Sequence, residues 1–254
     1  MVHITYLKQG FGNKMLMFIK SVKEFLKKKD DILYVFAVQS KHETQTDKEK
    51  IENIFPKLKQ LPWLKFIYSW EEYDALIGQE PTIIKNDYDF TSEIFQGMKT
   101  FIKKYLVVNP EYKYLLKEYD TKNGILLHYR LGDKLNLTNK YLVMKPEYFK
   151  KHIKNFKGPI YMVSDSPQIA KKLIPEAQII HIDWVETFYL MTKFKNAILS
   201  ESTFGVVASY LNQEQHNFIF PAYHVEISSG KLIDVSWGPV FQYEHDRSYR
   251  YVKK

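Results

Sequence analysis

The sequence predicts an α/β protein built from two units that face each other across a cleft. Short, nearly continuous apolar segments alternate with segments of helical periodicity, a pattern typical of parallel sheets with helical crossovers. The alternation occurs twice, and a polar turn at residues 120–124 separates the two series. With 254 residues, 45% of them hydrophobic, the chain is long enough for one large α/β domain or two small ones. We place the domain boundary after residue 120, which gives units at 1–120 and 121–254.

The first unit is predicted to open with a strand, a tight turn and a helix. The pattern is strand-like from Val2 to Tyr6, a glycine-bearing turn follows at 8–13, and apolar residues recur at helical spacing over 14–27. The later elements are a strand at 32–38, a helix at 44–54, a strand at 64–68 and a long helix from Thr91 or Ser92 to about Tyr105. Pro110 ends that helix or begins another.

The second unit repeats the alternation, beginning with a strand from Ile125 that leads into the segment HYRLGDK. Pro167 suits the first turn of a helix that follows Asp165 and Ser166. The predicted helices are at 146–156, after 166, at 184–195 and at 203–211, and the predicted strands are at 159–163, 178–182, 197–199 and 217–220. The sequence leaves open whether the aromatic-rich run from Val225 crosses back over the first unit.

Composition excludes some classes of protein and leaves others open. Cysteine is absent, so disulfides and cysteine-based catalysis are impossible. The opening residues read as a strand rather than a signal peptide, and no apolar run approaches the roughly eighteen residues of a membrane span. We therefore expect a soluble, cytoplasmic protein. The net charge of +8 allows a nucleic-acid partner, but the lysines are scattered along many helices rather than gathered in one block.

Arginine is rare in a chain that uses lysine almost everywhere else. Of the 37 basic residues, only Arg130, Arg247 and Arg250 are arginine. A guanidinium matches phosphate oxygens bidentately and an ammonium does not, so these arginines are candidate phosphate clamps. For Arg247 and Arg250, an accident of codon usage is the alternative.

A glycine-bearing loop lies between the first strand and the first helix. Backbone N–H groups and the helix dipole at such a position favour an anion or a polar ligand, which makes Gly10, Gly12 and Asn13 candidate binding residues. The loop lacks the third glycine of a dinucleotide fingerprint and the Lys-Ser/Thr ending of a Walker loop, so neither class is supported. An ordinary turn is the alternative.

The segment HYRLGD follows a buried-looking strand, so Arg130 should lie at the carboxyl end of that strand, where open α/β sheets bind ligands. Strand alternation puts His128 and Arg130 on one side. Gly132 permits close backbone approach, and Asp133 can orient the arginine or cap the next turn. The alternative is a purely structural ion pair between Arg130 and Asp133.

Four segments, in this order, resemble motifs of the α-1,2-fucosyltransferases (glycosyltransferase family eleven) and, more loosely, of the wider GDP-fucose-dependent superfamily. The segments are Gly10-Phe11-Gly12-Asn13-Lys14-Met15; His128, Arg130, Gly132 and Asp133; Ser164-Asp165-Ser166 with Ala170; and Glu186 to Asn212 with its Ser-Thr-Phe segment. The departures are Phe11, Lys14, Leu131 and Gly205-Val206-Val207, which stand where members of the family carry leucine, glutamine, arginine and serine with paired tryptophans.

The resemblance implies a GT-B-like fold of two Rossmann-like α/β units, with the acceptor on the first unit and a GDP-sugar on the second. It puts Arg130 on the β-phosphate, with His128 beside it at the catalytic centre. Ser202 and Thr203 contact the diphosphate from a helix N-terminus, which agrees with the physics of such a position.

The same resemblance puts Asp165 near the nucleoside and makes Ser164 a candidate donor-binding residue. For Asp165 the alternative is the N-cap of the helix that begins at Pro167. Phe204 either packs on the nucleoside or fills the core.

The implied reaction is transfer of fucose, or a related 6-deoxyhexose, from a GDP-sugar to a hydroxyl of a glycan acceptor, with inversion at the anomeric carbon. The one Asp-x-Asp of the sequence, Asp87-Tyr88-Asp89, lies outside the four motif segments, and no histidine cluster has the spacing of a cation site, so we expect no metal and no other cofactor. The pattern identifies no general base. A non-catalytic nucleotide- or glycan-binding protein of the same fold is the main alternative, suggested by the altered 205–207 segment, and a basic nucleic-acid-binding protein is the other.

Overall fold

The computed structural model describes residues 1–7, 9–27, 31–37, 46–84, 91–136, 143–213, 216–225, 232–234 and 237–249. The chain divides into two compact units, Met1–Pro110 and Glu111–Lys254. The boundary thus precedes the expected one at residue 120, because the segment after Pro110 packs within the second unit. The ring of Tyr112 lies 5.7 Å from that of Tyr189, and the Tyr114 hydroxyl donates to Glu186.

The first unit contains a four-stranded parallel sheet in the order β3-β2-β1-β4. Its strands are β1 (Val2–Tyr6), β2 (Ile32–Phe36), β3 (Leu64–Ile67) and β4 (Thr82–Ile84). The strand predicted at Val2–Tyr6 is confirmed. The strand predicted at 32–38 ends at Phe36, and Val38 lies outside the described residues.

Helices cover both faces of this sheet. Helix α1 (Phe11–Phe25) packs on one face, where the hydroxyls of Thr5 and Ser21 share a 2.8 Å hydrogen bond. Helix α3 (Trp70–Ile77) packs on the other face, where Tyr73 stacks on Phe36 with ring centroids 4.5 Å apart. Both helices also pack on the sheet through aromatic rings, Phe18 of α1 against Phe66 and Tyr73 of α3 against Phe36.

Three helices of the first unit differ from their predictions. Helix α1 begins at Phe11 rather than at 14, because the Lys14 N–H already donates to the Gly10 carbonyl at 3.1 Å. The helix predicted at 44–54 is a 3₁₀ turn followed by α2 (Ile51–Ile54), and Thr44 lies outside the described residues. The long helix to Tyr105 is split into a 3₁₀ turn and α4 (Lys99–Tyr105), because Gly97 has a φ of 75°, which no helix can continue through.

The second unit contains a six-stranded parallel sheet in the order β12-β9-β8-β5-β6-β7. Its strands are β5 (Ile125–Tyr129), β6 (Ile160–Ser164), β7 (Gln178–Ile179), β8 (Asn196–Leu199), β9 (Asn217–Pro221) and β12 (Phe241–Glu244). A separate antiparallel pair is formed by β10 (Tyr223–Val225) and β11 (Leu232–Asp234). The C-terminal run therefore adds an outer strand, β12, to the sheet of its own unit, which sequence reading did not foresee.

Helices again lie on both faces of the sheet. The helices are α5 (Leu115–Glu118), α6 (Gly132–Asn136), α7 (Pro146–Ile153), α8 (Pro167–Leu173), α9 (Trp184–Met191) and α10 (Thr203–Leu211). The predicted helix at 203–211 is confirmed, and α9 begins with a capping box between Asp183 and Glu186. Phe188 and Met191 of α9 are buried in the core of this unit. Among the helices of the described ranges, none has the length and apolar character that crossing a membrane requires.

Candidate active site

The sheet of the second unit has a topological switch point between β5 and β8. Strand β5 comes first in the chain, and the later strands lie on both sides of it, with β6 on one side and β8 on the other. A crevice forms at the carboxyl ends of two such strands, and open α/β sheets bind ligands there. Arg130 follows β5 and Ser200 follows β8, and the Arg130 N–H donates to the Ser200 hydroxyl at 2.8 Å. The predicted position of Arg130 at a strand end is confirmed.

Arg130 contacts an acidic residue from the next loop along the sheet. Its Nη1 donates to Oδ2 of Asp165, which follows β6. The other carboxylate oxygen, Oδ1, accepts the N–H of Leu131 at 2.8 Å and the N–H of Gly132 at 2.9 Å. One carboxylate therefore holds the arginine and the backbone of the loop that carries it.

Gly132 allows this close approach. A Cβ at this position would lie 2.3 Å from Oδ2 and 2.8 Å from Cγ of Asp165, distances that no real side chain tolerates. The prediction of a close approach at Gly132 is confirmed, and the approaching group is the Asp165 carboxylate.

The N-cap alternative for Asp165 is wrong. The N-cap of α8 is Ser166, and the Asp165 side chain is used by the loop after β5 instead. Ser164, a candidate donor-binding residue, accepts a hydrogen bond from the Ser166 N–H at 3.1 Å within its own turn. The nucleoside contact of Asp165 and the donor contact of Ser164 stay predictions. The side chain of Asp133 lies outside the described residues, so its predicted roles stay predictions as well.

His128 is buried on the opposite face of the sheet from one hydrophobic core cluster of this unit. Leu127 and Tyr129 belong to that core, whereas the His128 ring lies 6.0 Å from Phe204 and nearly parallel to it. Among the described residues, Nδ1 of His128 has no hydrogen-bond partner. Burial lowers the pKa of His128 from 6.5 to about 4, with smaller contributions from the neighbouring charges. The imidazole is therefore neutral near pH 7.

Helix α10 points its N-terminus toward the same strand ends. Its N-cap is Ser202, whose side chain makes no capping hydrogen bond, and its first turn contains no acidic residue. The N–H groups of the first turn and the helix dipole give partial positive charge at Ser202 and Thr203. Phe204 packs edge-on against buried Phe188, with ring centroids 5.2 Å apart, which favours the core-filling role for Phe204.

Sequence reasoning missed Lys134, which belongs to this site. Its Nζ donates to the carbonyl of Glu201 at 2.9 Å, next to the N-cap of α10. Lys134 lies four residues after Arg130, in the short helix α6 that begins at Gly132. No local signal distinguished this lysine, because lysine is abundant throughout the chain.

The segment Gly205-Val206-Val207, which differs from the motif of the resembled family, packs against buried residues. Val206 and Val207 are fully buried. A Cβ at Gly205 would lie 3.4 Å from Nδ1 of His128 and 3.6 Å from Leu199, ordinary packing distances. The two valines therefore belong to the core, and the glycine faces the unpartnered histidine nitrogen.

The predicted binding loop of the first unit is the start of α1. Gly10 is the N-cap, and Gln9 has a φ of 67°, an uncommon conformation for a non-glycine residue. Gly12 is buried in the first turn, and the Asn13 amide donates to the Gln9 side chain. A ligand role for Gly10, Gly12 and Asn13 stays a prediction.

One of the two other arginines, Arg247, packs on an aromatic ring. Arg247 lies over the Tyr223 ring, with Cζ 4.5 Å from the centroid, so its guanidinium has a structural use. Arg250 lies outside the described residues. Within the described ranges, histidine and acidic side chains form no group of three that could hold a metal ion.

Solved structures share the fold of this chain. No protein-family model matches the sequence, and no curated protein matches it. The fucosyltransferase NodZ from Bradyrhizobium aligns with a TM-score of 0.53 at 13% identity, over 91% of this chain and 98% of that one. NodZ α-1,6-fucosyltransferase soaked with GDP-fucose gives 0.51 at 13% identity, over 92% and 98%. The E. coli heptosyltransferase WaaC with ADP gives 0.53 at 6% identity, over 96% and 92%.

These likenesses confirm the predicted fold class. The chain has the GT-B-like fold of these glycosyltransferases, with one parallel α/β sheet in each of two units. Fold alone does not fix chemistry. Membership of the α-1,2 family stays a prediction.

Proposed function

We propose that this chain is a metal-independent glycosyltransferase that moves fucose, or a related 6-deoxyhexose, from a GDP-sugar to a hydroxyl of a glycan acceptor. The observation that carries the proposal is the position of Arg130. This arginine lies at the switch point of the second sheet, beside the N-terminus of α10, in a fold shared with NodZ and WaaC. An anionic leaving group is the ligand that such a place suits.

The charges of the site suit a diphosphate. Arg130 supplies a planar fork, Lys134 supplies a point charge, and the first turn of α10 supplies backbone N–H groups with the hydroxyls of Ser202 and Thr203. Groups fixed before the reaction stabilise the charge that develops on a departing diphosphate. These residues supply a role that a divalent cation plays in other transferases, which is why we propose activity without a metal.

The choice of a guanine nucleotide rests on two supports. The motif order resembles GDP-fucose-dependent enzymes, and the NodZ structure was soaked with GDP-fucose. The WaaC structure carries ADP on the same fold, so the fold itself leaves the base open. We propose an α-1,2-type transfer from the motif resemblance.

The proposed reaction inverts the anomeric carbon. The acceptor hydroxyl attacks from the face opposite GDP, through a transition state with oxocarbenium character, and GDP leaves toward Arg130. Because burial lowers the pKa of His128 to about 4, its ring is neutral at pH 7 and can act as a hydrogen-bonding group but not as a general acid. No residue is assigned as the base that takes the acceptor proton.

The non-catalytic alternative rests on the segment 205–207. Since Val206 and Val207 are fully buried, their replacement of paired tryptophans changes the core rather than the surface beside Arg130. Activity is therefore compatible with this departure. A nucleic-acid partner gains no support from any described cluster of residues.

The proposal is tested by incubating the purified chain with GDP-fucose in the presence of a chelator and measuring GDP release. We expect slow release with water and faster release with a panel of oligosaccharides. Tight binding of GDP-fucose without release under any condition supports the non-catalytic alternative. Salt-sensitive binding to DNA or RNA without nucleotide binding supports the basic-protein alternative.

A further inference from the structure

We propose that Asp165 is a positioning residue that sets the orientation of the Arg130 guanidinium, rather than a contact of the nucleoside. This inference rests on the proposed function, because it assigns Arg130 to the diphosphate. It differs from the role that the motif resemblance implies for Asp165, and it follows from the contacts of the carboxylate.

The two oxygens of Asp165 have different partners. Oδ1 accepts two backbone hydrogen bonds, from Leu131 at 2.8 Å and from Gly132 at 2.9 Å. Oδ2 contacts Nη1 of Arg130. Three donors thus converge on one carboxylate, and all three belong to the loop after β5. Charged hydrogen bonds of this kind are stronger and more directional than neutral ones.

The loop is shaped around this carboxylate. The space that a Cβ of residue 132 would need is taken by Asp165, with Oδ2 at 2.3 Å, and Nη1 of Arg130 lies 3.4 Å from the same point. Glycine, carboxylate and guanidinium are therefore packed together. This close packing against Gly132 indicates that the Asp165 carboxylate occupies this position permanently.

The consequence for a ligand is preorganisation. A guanidinium is planar, so fixing one of its nitrogens fixes the direction of its other donors. An arginine held in this way loses little conformational freedom when a phosphate binds. The negative charge of Asp165 also weakens anion binding, because it lies beside the proposed phosphate site. The replacement Asp165→Asn therefore lowers GDP affinity by freeing Arg130 and raises it by removing this repulsion. The coupling energy between positions 130 and 165 separates the two effects.

The experiment is a double-mutant cycle of the full chain, with Arg130→Lys, Asp165→Asn and the double variant titrated calorimetrically with GDP and with guanosine. Asparagine keeps an oxygen for the two backbone N–H groups and removes the acceptor of Arg130. In the unaltered chain, Arg130→Lys should weaken GDP binding by about tenfold or more. In the Asp165→Asn background, Arg130→Lys should weaken GDP binding by no more than about twofold, because the Asp165 carboxylate no longer orients the arginine. Guanosine affinity should be the same in all four proteins.

Asp120→Asn is the matched control. Asp120 also accepts two backbone N–H groups in a loop, from Lys122 at 3.2 Å and Asn123 at 2.9 Å, but it precedes β5. This variant should leave the Arg130→Lys penalty on GDP affinity unchanged.

Two results overturn the inference. One is a loss of guanosine affinity in Asp165→Asn, which is the sign of a nucleoside contact. The other is an undiminished Arg130→Lys penalty in the Asp165→Asn background. Failure of the unaltered chain to bind either GDP or ADP is a separate outcome, and it overturns the proposed function together with this inference.

Discussion

The hydroxyl of Ser200 accepts a hydrogen bond from the backbone N–H of Arg130 at 2.8 Å, and the Ser200 N–H donates to the His128 carbonyl at 2.9 Å. These two bonds extend the pairing of β5 with β8 past the last residues of both strands. Ser200 is almost fully buried, so the pairing is protected from water. The backbone of Arg130 is consequently fixed on two strands before any ligand arrives.

Arg130→Lys should reduce donor binding while leaving the fold intact. A lysine keeps the charge but cannot donate bidentately, so we expect GDP affinity to fall about 10- to 100-fold. Calorimetry measures the affinity, and thermal unfolding checks the fold. The matched control is Arg247→Lys, since Arg247 stacks on Tyr223 and should leave GDP affinity unchanged. Equal affinities of the Arg130→Lys variant and the unaltered chain would remove Arg130 from the site.

Gly132→Ala should disturb the loop that carries Arg130. Its Cβ would meet the Asp165 carboxylate at 2.3 Å, so either the loop or the acid must move. We expect a loss of about 1–3 kcal/mol in the free energy of unfolding, measured by denaturant titration. Gly78→Ala is the control, because its Cβ would meet only backbone oxygens at 3.6 and 3.7 Å. Equal stability of the two variants contradicts the close packing of Gly132 and Asp165.

Gly205→Ser should give His128 a hydrogen-bond partner. Gly205→Ala alone should stabilise α10 by up to about 1 kcal/mol, since glycine is a poor helix former. The serine hydroxyl adds a bond to Nδ1 worth about 1 kcal/mol, which more than offsets the lower helix propensity of serine. Denaturant unfolding should therefore rank serine at or above alanine. A serine variant clearly less stable than the alanine variant contradicts the orientation of Nδ1 toward residue 205.

Stability should fall in acid because of His128. Burial lowers the pKa of His128 from 6.5 to about 4. As the pH falls below 6.5, His128 therefore binds a proton in the unfolded chain but stays neutral in the folded chain, which favours unfolding. This contribution should cost about 2 kcal/mol of unfolding free energy between pH 7 and pH 5.

The replacement His128→Gln should remove that part of the pH dependence. Burial also lowers the pKa of His152, but His152 titrates in both proteins, so the difference in slope isolates His128. Unfolding free energies measured at pH 7 and pH 5 provide the comparison. Parallel slopes for the two proteins mean that His128 keeps an ordinary pKa.

The elements with a strong local signal were predictable from the sequence. Buried parallel strands are short apolar runs, so β1 and β5 were found near their true bounds. The start of α10 carries a serine N-cap, and its bounds were found as predicted. Elements whose ends depend on backbone conformation were missed. Nothing in the periodicity of residues 91–105 showed that Gly97 would adopt a positive φ and split the helix.

The site was predictable as far as its parts lie on one segment. His128 lies in β5 and Arg130 follows it directly, so alternation gave the relative positions of these two residues. The partner of Arg130 was not predictable, because Asp165 lies 35 positions further along the chain and reaches the arginine only through the pairing of β5 with β6. Strand β12 was missed for a similar reason, since its partner β9 is fixed by tertiary packing and not by a local pattern.

The central claim is a guanine nucleotide-sugar site that needs no metal, and calorimetric titration of the unaltered chain tests it most directly. GDP, GDP-fucose, UDP and ADP are each titrated into the purified protein in the presence of a chelator. The account predicts selective binding of GDP and GDP-fucose. Absence of binding by all four nucleotides, or binding of GDP only after a divalent cation is added, would contradict it.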